Sequence, residues 1–149
     1  MQRPLAATVN CDASFCPHTK AAGWAVWIAV DGGVKHKQSG RFKHSPRTSN
    51  EAEFWAMLNG LWIAVHTYGV THALIQGDCR GALDKIMRRP VVVRNICDKV
   101  DHAVSIRTKW VKAHTTTSDA RSWVNDWCDR QAKRHMESER RTKRKNKTK

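Results

Sequence analysis

The order in which two apolar patterns follow one another constrains the fold of this chain more than any other feature. Residues 5–15 and 23–30 are runs rich in apolar and β-branched side chains, as in buried strands, and the second run ends at an Asp-Gly-Gly turn signal. A third, more polar strand is expected over residues 34–43. Residues 5–43 therefore predict an antiparallel meander of three strands.

From residue 48 the apolar period changes to that of a helix. Thr48 and Glu51 form a T-x-x-E capping box, which indicates where the helix starts. Gly69 is expected to end it. The apolar residues that share one stripe of this helix are Phe54, Leu58, Leu61, Trp62 and Val65.

The rest of the chain alternates between strand and helix patterns. The predicted elements are a fourth strand over residues 70–78, a short helix to about residue 89, a further helix over 93–104, a fifth strand over 105–114 and a last helix over 119–136. Three consecutive strands followed by this alternation predict an α/β fold with a five-stranded mixed sheet and helices on both faces.

The charge of the chain favours a polyanionic partner. Lys and Arg number 27 against 13 Asp and Glu, a net charge of +14, and nucleic acid is the commonest partner of such proteins. Residues 140–149 hold seven Lys or Arg with no acid and no apolar residue. We therefore expect a folded domain over residues 1–136 and a basic tail over 137–149 that is disordered when free.

The cysteines and the apolar segments indicate the compartment. The five cysteines are scattered without C-x-x-C pairs or zinc-ligand spacing, which is typical of reduced thiols. The start of the chain has no apolar stretch of signal-peptide length, and no segment approaches the roughly 18 apolar residues of a membrane span. These features predict a cytoplasmic protein with no membrane association.

Two predicted strands each deliver an aspartate at the carboxyl end. Asp12 lies near the end of the first strand and Asp78 closes the fourth. Either residue alone reads as a solvated acid at a strand end. In open α/β sheets, however, the carboxyl edge is where ligands bind, which favours a shared site.

Acids on two helices are further candidates. Glu51 belongs to the capping box, whereas Glu53 has no such role and could be a simple helix-dipole charge. In the last helix, Asp126 and Asp129 both qualify. Asp129 shares a stripe of small residues with Cys128 and Ala132, but the sequence leaves open which stripe faces the sheet. Several carboxylates together would suit hard divalent cations, two of which can cleave a phosphodiester.

The chain resembles type 1 ribonuclease H over residues 5 to about 135. The pieces that carry the resemblance are NCDASF around Asp12, GWAVWI, TSNEAEFWAML with Glu53, QGD ending at Asp78, KWVKAH with His114, and NDWCDRQAKR with Asp129. No single piece is specific, and the resemblance depends on their order and context. It implies a ribonuclease H-like fold and an endonuclease that hydrolyses the RNA strand of RNA/DNA hybrids.

The resemblance also implies a site. Asp12, Glu53, Asp78 and Asp129 would hold two Mg²⁺ ions, with Mn²⁺ an equally suitable metal, and Asp12 would bridge them. Asp129 would serve the ion that activates water, and Glu53 and Asp78 the ion at the leaving 3′ oxygen, to yield 5′-phosphate and 3′-hydroxyl ends. His114 would move protons or aid product release. The protein would act as a monomer.

Other positions resemble the nucleic-acid contacts of the family. Thr48 and Asn95 match residues that hold a phosphate of the DNA strand, and Asn50 and Ser14 match further contacts to the hybrid. Thr48 could equally be a helix cap and nothing more.

The chain departs from the family in several places. Ala13 and Ala113 stand where glycines are usual, and the loop between His114 and Asp129 is longer. The basic protrusion of many bacterial members is missing, and only Arg88-Arg89-Pro90 stands in its place. We expect these changes to affect substrate fit more than metal binding, and the basic tail to grip the nucleic-acid backbone instead of the protrusion.

Three other functions remain open. The chain could be a DNA-directed nuclease of the same superfamily, or a nucleic-acid-binding relative without catalysis, although intact acids at all four positions argue against the latter. The seven tryptophans could also form a stacking surface for single strands. The helical spacing of Trp55 and Trp62 favours packing in the core instead.

Overall fold

A computed structural model describes residues 3–112 and 120–147. Its five-stranded sheet has the order β3-β2-β1-β4-β5. The strands are β1 (Ala6–Phe15), β2 (Ala22–Val30), β3 (Lys35–Arg41), β4 (His72–Gly77) and β5 (Ser105–Trp110). β1, β2 and β3 pair antiparallel, whereas β4 runs parallel to β1 and β5 parallel to β4. The predicted meander and the mixed sheet are confirmed.

Four α-helices accompany the sheet: α1 (Ser49–Trp62), α2 (Arg80–Met87), α3 (Val91–Asp98) and α4 (Ala120–Lys147). α1 begins as predicted, because the Thr48 hydroxyl accepts a hydrogen bond from the Glu51 amide at 3.1 Å. It continues as a π-helical turn over Ile63–Thr67 and ends at Gly69, whose φ of 68° suits a residue without a β-carbon.

The alternation of β2 explains why helices cover both faces. Trp24, Val26 and Ile28 point to the main core, where they pack with α1 residues such as Met57 and Leu61. Ala25 and Trp27 point the other way and pack against Cys128 and Ala132 of α4. Each face of the central strands is therefore buried by one long helix.

Two glycines allow these helices to approach closely. A β-carbon on Gly60 of α1 would lie 2.6 Å from Val9 Cγ1 of β1. A β-carbon on Gly23 of β2 would overlap the carbonyl of Ala132 and lie 2.7 Å from the amide of Met136 in α4. The absence of a side chain at Gly60 therefore lets α1 pack closely on β1, and its absence at Gly23 lets α4 pack closely on β2.

The structure corrects two expectations about the helices. The last helix was expected to end near residue 136, followed by a tail without structure, but α4 continues to Lys147. Side-chain contacts hold this extension: the Lys143 ammonium donates to Thr19 O and Ser45 Oγ at 3.2 and 2.9 Å. The helix predicted over 93–104 is also shorter, since α3 ends at Asp98.

The expected core positions of Trp55 and Trp62 are not found. Trp62 is 50% exposed and stacks on His66 at a centroid distance of 5.0 Å. Trp55 is only partly buried and contacts Phe42 edge to face. The two residues lie on the flank of α1 that faces away from the sheet, while Phe54 and Leu61 fill the core.

All five cysteines are free thiols. Within residues 3–112 and 120–147, no helix combines the length and apolar character needed to cross a membrane.

Candidate active site

The carboxyl ends of two adjacent parallel strands bring Asp12 and Asp78 together. β1 pairs with β4 up to Asn10 and Gln76, and each aspartate follows two residues later. Glu53 comes from the first turns of α1, and Gly60, two turns further along the same helix, allows α1 to approach β1. One carboxylate oxygen from each of the three acids lies within 4.8 Å of the other two. These three predicted residues therefore form one cluster.

Glu53 does not behave as a solvated helix-dipole charge. Its Oε2 atom is buried and has no hydrogen-bond partner among the described residues. Burial, followed by the charges of Asp12 and Asp78, raises the pKa of Glu53 well above its ordinary value. A buried carboxylate with one oxygen left without a partner, beside two other carboxylates, is destabilised unless a proton or a cation joins the cluster.

Asp12 is perturbed in the same direction. Burial first, then the charges of Asp78 and Asp129, raises its pKa to about 7. The Ala13 amide donates to Asp12 Oδ1 at 2.9 Å and opposes this rise. The pKa of Asp12 is thus raised both by the charge of Asp78, which follows β4, and by the charge of Asp129 on α4.

Asp129 lies in the wall of the same cavity but outside the tight cluster. The cavity is open to solvent, and its polar lining comprises Asp12, Asp78, Lys112, Asn125, Asp126 and Asp129. Asp129 Oδ2 forms an ion pair with the Lys133 ammonium group at 3.1 Å. The fourth predicted carboxylate therefore faces the site, next to Asp126, while a cation on its own helix partly neutralises it.

Packing of α4 decides which of its stripes meets the sheet. Cys128 and Ala132 are buried against β2, and the Cys128 thiol donates to Asn10 O at 3.9 Å. This rotation brings Asp129 toward Asp12, whose pKa it raises, and leaves Trp123 53% exposed. The stripe of small residues is therefore the one that packs.

The donor set fits hard divalent cations. Carboxylate oxygens are the ligands that Mg²⁺ and Mn²⁺ prefer, and the cluster offers three of them within reach of one ion. The unpartnered Glu53 oxygen is an acceptor that a cation would satisfy. The raised pKa values of Asp12 and Glu53 have the same origin, a surplus of negative charge in a partly buried site.

The other predicted residues lie outside this cluster of three acids. Asn50 is exposed, and its Oδ1 accepts from the Cys79 thiol at 3.3 Å, next to Asp78. Ser14 is partly buried on β1, two residues beyond Asp12. Thr48 is exposed and caps α1, and Asn95 is exposed on α3. His114 lies outside the described residues.

Three residues near the site were not singled out from the sequence. The Trp110 indole donates to the Asp78 carbonyl at 3.1 Å, and the Arg80 guanidinium stacks 4.0 Å above its ring. Lys112 lines the cavity beside the acids. Their place at the end of β5 and the start of α2 was a usable signal, because the carboxyl edge of a sheet collects functional side chains.

Comparison with known proteins gives consistent results. A family model described as reverse transcriptase-like matches residues 10–131. The N-terminal RNase H domain of a Mycobacterium tuberculosis protein, solved as a fusion with maltose-binding protein, is similar with a TM-score of 0.67 and 19% identity, over 93% of this chain and 98% of that one.

RNase H1 from the halophilic archaeon Halobacterium salinarum is similar with a TM-score of 0.65 and 14% identity, over 89% of this chain and 98% of that one. At these identities the two likenesses establish the fold. A search of curated protein sequences found no significant match.

Proposed function

Because the chain belongs to the reverse transcriptase-like family and has the ribonuclease H fold, we propose that it is a metal-dependent endonuclease that hydrolyses the RNA strand of RNA/DNA hybrids. The observation that carries the proposal is the cluster of Asp12, Glu53 and Asp78, with the buried Glu53 oxygen left for a cation. The net charge of +14 supports a nucleic-acid substrate.

In this proposal Asp12, Glu53, Asp78 and Asp129 hold two Mg²⁺ or Mn²⁺ ions. Asp12 is the natural shared ligand, because it interacts electrostatically with the other three acids. Bound ions of this kind lower the pKa of water and stabilise charge on a phosphodiester. The products would carry 5′-phosphate and 3′-hydroxyl ends.

The chain's own residues would position this chemistry. Trp110 holds the backbone at Asp78 through its indole N–H, and Arg80 packs on the outer face of that ring. Lys112 places a cation in the cavity wall, where it would attract the scissile phosphate. Thr48, Asn50, Asn95 and Ser14 would contact the hybrid, and His114 would move protons.

Cleavage of labelled duplexes tests the proposal. We would measure binding and cleavage of RNA/DNA hybrid, double-stranded RNA and double-stranded DNA by the wild type, Asp12→Asn and Asp101→Asn, in Mg²⁺, in Mn²⁺ and in chelator. Asp101→Asn is a matched control, because this aspartate is 99% exposed, lies 3.5 Å from His102 Nδ1 and is far from the cluster along the chain. We expect Mg²⁺-dependent cutting of the hybrid's RNA strand, lost about 100-fold or more in Asp12→Asn only.

Two results would contradict the proposal. Binding without cutting in either metal would identify a nucleic-acid-binding relative without catalysis. Preferential cutting of double-stranded DNA would identify a DNA-directed nuclease of the same fold.

A further inference from the structure

The C-terminal half of α4 is held against the body of the protein. Lys143 donates to Thr19 O and Ser45 Oγ and pairs with Glu139 at 3.1 Å, while Arg41 donates to Ser138 and Thr142. Met136 is buried with Cys16 and Ala21. The basic segment therefore has a defined position relative to the active site.

One side of this helix carries a row of cations that begins at the active site. Starting from the acid Asp129, the cations are Lys133, Arg140 and Arg144. The spacings of four, seven and four residues place all four on one side of an α-helix. Lys133 lies 3.1 Å from Asp129, so the first cation adjoins a proposed metal ligand. We call Lys133, Arg140 and Arg144 the α4 stripe.

Two of the three cations are open to a ligand. Lys133 and Arg144 are exposed, whereas Arg140 is partly buried and its side chain hydrogen-bonds the Cys16 thiol. Of the two nearby acids, Glu139 is neutralised by Lys143. Glu137 is the remaining acid of the segment. It lies on the same side of the helix, four residues after Lys133 and seven before Arg144, and the three cations of the stripe outnumber it.

We propose that the α4 stripe is a track for the phosphate backbone of the duplex beyond the cleavage site. The identity of the ligand rests on the proposed nuclease function. Arginine side chains suit this role, because the guanidinium group donates two parallel hydrogen bonds to a phosphate. From Asp129 to Arg144 the helix rises about 22 Å, at roughly 1.5 Å per residue. That length matches about six or seven nucleotide steps of one strand.

Arg144→Gln and Arg134→Gln form a matched pair for the test. Both arginines are exposed on the same helix, and both substitutions remove one positive charge. Arg144 continues the stripe, whereas Arg134 lies about 80–120° round the helix from the three residues of the stripe.

Binding to a hybrid of about 18 base pairs would be measured in chelator over a range of salt concentrations. We expect Arg144→Gln to weaken binding roughly three- to tenfold and to reduce the slope of log K against log salt by about 0.9. Arg134→Gln should behave as the wild type.

Equal weakening by both arginine variants, or by neither, would overturn the inference, because the effect would then come from net charge or from no contact at all. If the wild type does not cleave the hybrid, the proposed function is overturned. The comparison of binding by the two arginine variants would still test the α4 stripe.

Discussion

Glu51 and Glu53 lie two residues apart in α1 and have different environments. Glu51 accepts a hydrogen bond from the Arg47 amide at 3.0 Å and completes the helix start. Glu53 turns inward to Asp12 and Asp78, where one of its oxygens is buried without a partner among the described residues. A glutamate thus stabilises the fold at position 51, whereas at position 53 its charge destabilises the metal-free protein.

The raised pKa of Asp12 predicts an unusual pH dependence of stability. Its pKa is about 7 in the folded protein against an ordinary value of 3.8, so between these values the folded state retains a proton that the unfolded state releases. In chelator, stability should therefore fall as pH rises from about 4 to 7, and Glu53 acts in the same direction.

Thermal unfolding of the wild type and Asp12→Asn across this pH range checks the prediction. The variant lacks the titrating carboxylate but keeps its shape, so it should gain stability over the wild type as pH rises. Parallel curves for the two proteins would contradict it.

At the scale of elements, the close packing of α1 on β1 depends on the absence of a side chain at Gly60. Replacing a helical glycine by alanine ordinarily stabilises by up to about 1 kcal/mol. At Gly60 the new methyl group would lie 2.6 Å from Val9 Cγ1 and 3.2 Å from Cys11 Sγ, both in the core. We expect Gly60→Ala to destabilise by about 1–3 kcal/mol, because overpacking outweighs the gain in propensity.

Gly81→Ala is the control for this prediction, since a β-carbon there meets only Asn50 Nδ2, at 3.6 Å. Urea denaturation of both variants should show loss of stability for Gly60→Ala and no loss for Gly81→Ala. A neutral Gly60→Ala would mean that α1 can move away from β1 at little cost.

For the whole molecule, the charge surplus of the cluster links metal binding to stability. A ligand that binds the folded state alone stabilises it by about 2.7 kcal/mol at one hundred times its Kd. For a domain of this size we expect Mg²⁺ to raise the Tm by roughly 5–10 °C. Asp12→Asn should respond less, whereas a Tm rise of equal size in both proteins would indicate metal binding elsewhere.

Much of the fold and part of the site follow from local pattern. Alternation and apolar runs predicted β1 to β5, the capping box predicted the start of α1, and strand ends placed Asp12 and Asp78 at one edge. These features depend on residues close together in the chain, so the sequence carries them directly.

Other features depended on packing between distant segments. The sequence left open which stripe of α4 meets the sheet, and contact of Cys128 and Ala132 with β2 decided it. Spacing along α1 could not foresee that Trp62 is half exposed. The charged end of α4 has too few apolar residues to predict its docking, which depends on polar contacts such as those of Lys143.

The amino-acid sequence by itself determined which residues form the strands and helices and which acids stand at their ends. Only the tertiary structure decided that Asp12, Glu53 and Asp78 converge within 4.8 Å and that a Glu53 oxygen is buried there without a partner among the described residues. The physical reason is that proximity and desolvation arise from close packing between β1, α1 and β4, which lie far apart in the chain.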